Sequence, residues 1–171
     1  MNIHRALAEV QDLKEHLGEE FRGRVAYNFT DTPEVRFEGF QFPPGWKNTR
    51  GSRHGRVLFE LPESYPDHPP HVYVDGEMRF EGGRPAAMAP ARQDGDSKWV
   101  PLSVFPSERN WDPEANSLTT AVTQLMEVLQ APDREIPIES DAERTNDTDE
   151  HAEPSEANDD RTDESSEGSE Q

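Results

Sequence analysis

Apolar residues return along this chain with two different periods, and the change of period outlines its elements. Ile3, Leu7, Val10, Leu13 and Leu17 recur at helical spacing, with Asn2 placed to cap the start and Gly18 to end it. This predicts a first helix. Val25, Tyr27 and Phe29 then alternate with small or polar residues, as do Val35 and Phe37, until Gly39 shifts the apolar set to Phe40 and Phe42. Two strands are expected, the second with a bulge at Gly39.

In "FPPGW", residues 42–46, Pro44 and Gly45 occupy the central positions of a type II turn, which should end the second strand. Beyond a loop, Val57, Phe59 and Leu61 alternate as a third strand, and Val72 and Val74 mark a fourth. Between these two lies the proline-rich corner "SYPDHPPHV". Residues 75–113 hold no regular period and include "GGRPAAMAPARQDGDS", a stretch of the kind that is functional or mobile. Helical spacing returns at Leu118, Ala121, Val122, Leu125, Val128 and Leu129, with Asn116 or Ser117 as cap and Pro132 beyond the end. The expected class is α+β: an N-terminal helix, a four-stranded antiparallel meander, an irregular segment and a second helix, with helices on one sheet face.

Composition divides the chain. Of the formal charge of −19 on 171 residues, −13 falls from Asp133 onward, where 16 acidic residues meet 3 basic ones. Residues 141–171 contain no aromatic residue and no Leu, Val or Ile, so they cannot bury enough apolar surface to offset chain entropy. Two regions follow: a single domain over residues 1–132 and an acidic disordered tail over residues 133–171. No run of 18 apolar residues occurs, and "MNIHRALAEV" lacks the layout of a signal peptide, so a cytoplasmic location without a membrane partner is expected. Three lysines stand against fourteen arginines, a depletion that extends through the domain. It favours adaptation to a salt-rich cytoplasm over an ordinary protein with an acidic tail.

The 171 residues contain no cysteine, which excludes disulfides, thiolate metal sites and thiol catalysis in this chain. His68 and His71 stand three apart around two prolines without a third ligand, and Asp94 and Asp96 lack the further oxygens of a calcium loop. No metal and no cofactor is expected. "KNTRGSRHGR" brings Lys47, Arg50, Arg53 and Arg56 together, with no acid between Glu38 and Glu60 and a local charge of +4. Such a segment suits an acidic partner, a phosphate or the chain's own acidic tail; the plain alternative is a solvated connection. With no aromatic residue interleaved after Trp46, nucleic acid is not expected. Of the aromatic residues, Phe40, Phe42, Trp46 and Trp111 fit the core, while Trp99 and Phe105, in the irregular segment, are candidates for partner contact.

"FELPESYPDHPPHVYV" resembles the strand, Tyr-Pro-x-x-Pro-Pro corner and following strand of ubiquitin-conjugating enzymes, here carried by Tyr65, Pro66, Pro69 and Pro70. "WDPEANSLTTAVTQLMEVLQAP" is similar to that family's Trp-x-Pro entry into the helix behind its active site, here Trp111 and Pro113. The likeness covers about residues 3–132, and the "PPGW" turn resembles the shorter E2-like proteins of prokaryotes. It implies a UBC-like fold. That family's activity rests on a cysteine that carries ubiquitin as a thioester and on the Asn of a His-Pro-Asn motif. Residues 72–109 contain no Cys, His or Asn, so no catalytic residue carries over.

The resemblance therefore implies a non-catalytic E2-like module for a ubiquitin-like modification system, with a ubiquitin-like small protein or an E1-like enzyme as partner. Two alternatives stand beside it. One is an acyl-transfer or hydrolytic enzyme using a non-cysteine nucleophile, Ser103 in "WVPLSVF", which needs a base such as His54, His68 or His71 folded close to it. The other is a purely structural UBC-like domain.

Overall fold

The computed structural model of the chain describes residues 1–18, 21–88, 99–106 and 111–134. Residues 135–171 of the acidic tail and the Asp94–Asp96 stretch lie outside these residues, whereas Asp133, expected in the tail, is described and its carboxylate accepts the Ala86 N–H at 3.0 Å. Contacts divide the chain into one compact unit, Met1–Ile138, and a second, Glu139–Gln171, none of which is among the described residues.

Helix α1 spans Ile3–Leu17. Asn2 Oδ1 accepts the Arg5 N–H at 3.1 Å, satisfying a donor that the first turn would leave open. At the other end Gly18, at φ +58°, returns its N–H to Lys14 O at 3.2 Å. The buried stripe is Ala6, Glu9, Val10 and Leu13, whereas Ile3 is 47% exposed. The helix is thus turned slightly from the orientation its apolar pattern predicts, and a carboxylate lies on the inner face.

Seven strands follow: β1 (Arg24–Asn28), β2 (Glu34–Gln41), β3 (Trp46–Lys47), β4 (His54–Glu60), β5 (His71–Asp75), β6 (Arg79–Phe80) and β7 (Trp99–Leu102). Helix α2 spans Leu118–Gln130, and Thr120 Oγ1 accepts the Ser117 N–H at its start. The main sheet is antiparallel and five-stranded, in the order β1-β2-β4-β5-β7, while β3 and β6 form a separate two-stranded ribbon. The four-stranded expectation is therefore corrected by one strand. β7 has only two inward apolar residues, Val100 and Leu102, and Pro101 between them interrupts the alternation that would announce it. A proline is accommodated because it removes one ladder donor from a strand at the end of the sheet.

Strand alternation sends Val35, Phe37, Val57, Phe59, Val72, Val74, Val100 and Leu102 to one face, where they share a core with Val10 and Leu13 of α1 and Leu118 and Leu125 of α2. Gly39, at φ +72°, sits at the register shift between Glu38 and Phe40, so both Phe37 and Phe40 turn inward and meet edge to face at 6.0 Å. Rings then follow one another from Phe40 to Phe42, Trp46 and Phe80, at centroid separations of 5.5, 5.4 and 5.6 Å. The turn after β2 closes with Trp46 N–H on Pro43 O at 3.3 Å, with Gly45 at φ +95°. It delivers Trp46, fully buried, to a point where Nε1 donates to Leu129 O of α2 at 2.7 Å. That bond ties the β3 region to the last turn of α2, whose carbonyls have no partner inside the helix. No described helix is long and apolar enough to cross a membrane.

Candidate functional site: the proline corner and its groove

The corner between β4 and β5 is held from beneath. The peptide bond joining Tyr65 to Pro66 is cis, and the Tyr65 ring is buried, 1% exposed. Tyr65 N–H donates to Pro62 O at 2.9 Å and Asp67 N–H to Ser64 O at 2.7 Å, so the backbone turns twice in six residues. The Tyr65 hydroxyl donates to Glu9 Oε2, which also accepts the Leu118 N–H at 3.0 Å. Glu9 Oε1 takes Arg5 Nε at 2.7 Å, and the Arg5 Nη2 bonds Pro113 O at 2.5 Å and Asn116 O at 3.1 Å. One buried carboxylate thus receives a phenol, a guanidinium and the first amide of α2, the combination a buried charge requires.

This setting fixes the protonation of Tyr65. Burial pushes its hydroxyl well above the ordinary tyrosine range, and the hydrogen bond to the Glu9 carboxylate and its negative charge push the same way, with Arg5 opposing them. The phenol stays a donor. Trp111 completes the lock: Nε1 donates to Pro66 O at 2.7 Å, and its ring lies 6.2 Å from that of Tyr65. Tyr65, Pro66, Trp111 and Pro113, separated by nearly fifty residues, therefore meet in one place, and Pro69 and Pro70 are buried beside them. Glu9, the residue at the centre of this network, is not singled out by sequence reasoning. Its signal is a carboxylate at the inner position of the α1 stripe, between Ala6 and Val10.

Above the lock lies a groove of 470 Å³, bounded by the corner on one side and the end of β7 on the other. His68, Pro69, Pro70, His71, Pro101, Ser103 and Phe105 are among the residues lining it. Phe105 is half-buried, its ring edge-on to Trp111 at 5.4 Å, so it forms both wall and packing. Ser103 follows directly on β7; its N–H donates to Ala87 O at 2.8 Å, and Val104 N–H reaches back to Leu102 O at 3.0 Å, leaving the Ser103 side chain exposed. The structure brings Ser103 into the same groove as His68 and His71, while His54 lines a different cavity.

Trp99 does not join this groove. It opens β7, half-buried, with the Arg56 guanidinium 4.9 Å above its ring and Arg56 Nε bound to Asp75 Oδ2 at 3.0 Å. The basic segment is consequently less positive in space than in sequence, because β5 supplies an acid beside Arg56. Lys47 and Arg50 are exposed and Arg53 half-buried, and the β3–β6 ribbon sets Arg79 opposite Lys47. Arg50, His54 and Arg56 share a 560 Å³ cavity with Asp75 and Glu77. This is a surface of mixed charge. Among the described residues no three His, Asp or Glu side chains gather as a metal-holding group.

A comparison with known protein families, with characterised proteins and with solved structures finds no match to this chain.

Proposed function

We propose that the chain is an E2-like protein of UBC-like fold, related to the prokaryotic E2-like branch, that binds its partner without conjugating it. The partner is a ubiquitin-like small protein or an E1-like enzyme of a modification system, and the groove at the proline corner is where it docks. One observation carries this reading: the corner residues and Trp111 are locked together beneath an open groove, while the chain contains no thiol to place in it. In an active conjugating enzyme such a corner helps to frame the reaction site. Here it frames prolines, two imidazoles, two serines and a phenylalanine.

The energetics support binding at this place. Prolines carry no backbone N–H, so the four around the groove offer apolar surface for an extended segment to bury, while the histidine and serine side chains between them supply the polar contacts. Phe105 adds a rigid aromatic contact of the type that dominates small interfaces. The test is affinity capture from a lysate kept at native salt, with the bound proteins identified by mass spectrometry. Recovery of a ubiquitin-like protein or an E1-like enzyme, lost on Phe105→Ala, supports the reading; repeated recovery of neither overturns it.

A further inference from the structure

The β ladders and the groove bring three chemically complementary side chains to neighbouring positions. In the register of β4 with β5, Glu60 lies opposite His71. In the register of β5 with β7, Val72 lies opposite Leu102, where β7 ends, and His71 and Ser103 are the next residues outward on the two chains. Phe59 and Val72 face the core, so their neighbours Glu60 and His71 belong to the opposite face of the sheet, and Ser103 follows, exposed, at the end of β7. A carboxylate and an imidazole thus face each other across β4 and β5, with a hydroxyl next to the end of β7 on the same groove as the imidazole.

Ser103 closes the ladder: its N–H goes to Ala87 O and the Val104 N–H turns back to Leu102 O, so the chain leaves β5 there with the exposed Ser103 lining the same groove as His71. From places on the wall of one groove, a serine hydroxyl and an imidazole approach one another by rotation about their own side-chain bonds. His71 and Ser103 are exposed and line the 470 Å³ groove, and Glu60 is half-buried behind His71. Among the described residues none of these three side chains is committed to another hydrogen bond or ion pair. They are free to engage one another when a substrate fills the groove, as catalytic groups in unliganded sites commonly do.

From this arrangement we infer that the groove holds a serine nucleophile: Ser103 accepts an acyl group from an activated ester, His71 is its general base, and Glu60 is a positioning residue for the imidazole. Ser103 Oγ forms a bond to the acyl carbon as its proton passes to the free nitrogen of His71. Collapse of the tetrahedral intermediate breaks the bond to the alcohol, which leaves with that proton. Water then attacks the acyl-serine, His71 taking and returning its proton, so the net reaction is ester hydrolysis. The N–H groups of Ser103 and Val104 are already spent on Ala87 O and Leu102 O and offer no oxyanion donor, which restricts the reaction to acyl groups with good leaving groups. This inference goes beyond partner docking and stands without it, because it concerns chemistry in the groove rather than who occupies it.

The full chain is treated with a fluorophosphonate probe, which phosphonylates a reactive serine with loss of fluoride, and the site is mapped by peptide mass spectrometry. Labelling is expected on Ser103, abolished by Ser103→Ala and slowed at least about tenfold by His71→Asn. Glu60→Gln slows it less, and Glu60→Asp, which keeps the carboxylate, restores part of the rate; a merely structural role would not distinguish the two. Near-ultraviolet circular dichroism of each variant checks the fold. No adduct on Ser103, or a rate unchanged by His71→Asn in a folded protein, overturns the inference whatever the binding experiment returns.

Discussion

The Tyr65 hydroxyl donates to the Glu9 carboxylate, and through that contact the proline corner is fastened to the inner face of α1. Because the same carboxylate takes the first amide of α2, corner and both helices share one anchor. Tyr65→Phe removes a hydrogen bond to a charged group in a buried setting, and we expect a loss of about 1.5–3 kcal/mol in urea unfolding. The ring remains, so packing against Trp111 should persist and near-ultraviolet circular dichroism should change little.

The same contact gives the fold a dependence on alkaline pH. The hydroxyl holds its proton more tightly folded than unfolded, so its contribution is fully present below the unfolded value of about 10 and declines as pH rises beyond it. Urea midpoints should fall between about pH 9 and 11 more steeply for the native protein than for Tyr65→Phe. Equal slopes would mean that Tyr65 ionises as freely folded as unfolded.

Glu9→Ala should cost more than Tyr65→Phe, about 3–5 kcal/mol, because it strips the acceptor from Arg5, Tyr65 and the Leu118 amide together. A double-mutant cycle between the two positions should show a coupling of at least about 0.5 kcal/mol, as expected for directly bonded groups. Additive losses would place Tyr65 and Glu9 in separate networks.

Two glycines separate backbone strain from collision. Gly51, at φ +77°, has nothing within 4 Å of an added Cβ, so Gly51→Ala should cost only the left-handed conformation, about 1–2 kcal/mol. Gly45, at φ +95°, would place its Cβ 2.5 Å from the Phe80 ring. Gly45→Ala should therefore lower Tm further, and the excess should shrink when Phe80 is also truncated. Thermal unfolding of the three variants checks this.

How far the sequence disclosed this arrangement depends on whether a residue's role is set by its neighbours in the chain or by distant ones. Gly39 and Gly45 act locally, and the bulge and the turn appear where their neighbours predict them. Both helix starts were legible for the same reason, since a cap is a bond spanning about three residues. β7 was hidden because its two core residues flank a proline, and the β3–β6 ribbon because two residues cannot show a period. Glu9 and the pairing of Arg56 with Asp75 depend on chain crossings far apart in sequence, so nothing local singles out Glu9, and Arg56 reads as part of a free basic segment. The groove was only half legible: the corner marks one wall, whereas Ser103 joins His68 and His71 only once β7 pairs with β5.

Arg56 also yields a prediction for Trp99. Its ion pair with Asp75 is partly exposed, with the Arg56 side chain 39% accessible, so Arg56→Met should change folding free energy by less than about 1 kcal/mol. It uncovers the ring beneath the guanidinium, while Trp46 and Trp111 stay buried. Acrylamide should then quench one of the three tryptophans more strongly than in the native chain. Unchanged quenching would show that Arg56 does not shield the ring.

Titration of the ¹⁵N-labelled chain with a purified ubiquitin-like protein at native salt tests the proposal that such a partner docks in the groove at the proline corner. Docking there should give amide shifts concentrated at His68, His71, Ser103 and Phe105, saturating with a Kd of about micromolar order and weakened by Phe105→Ala. Amide positions that stay unmoved to millimolar partner, or shifts confined to the β3–β6 ribbon and the loop around Arg50, would contradict it.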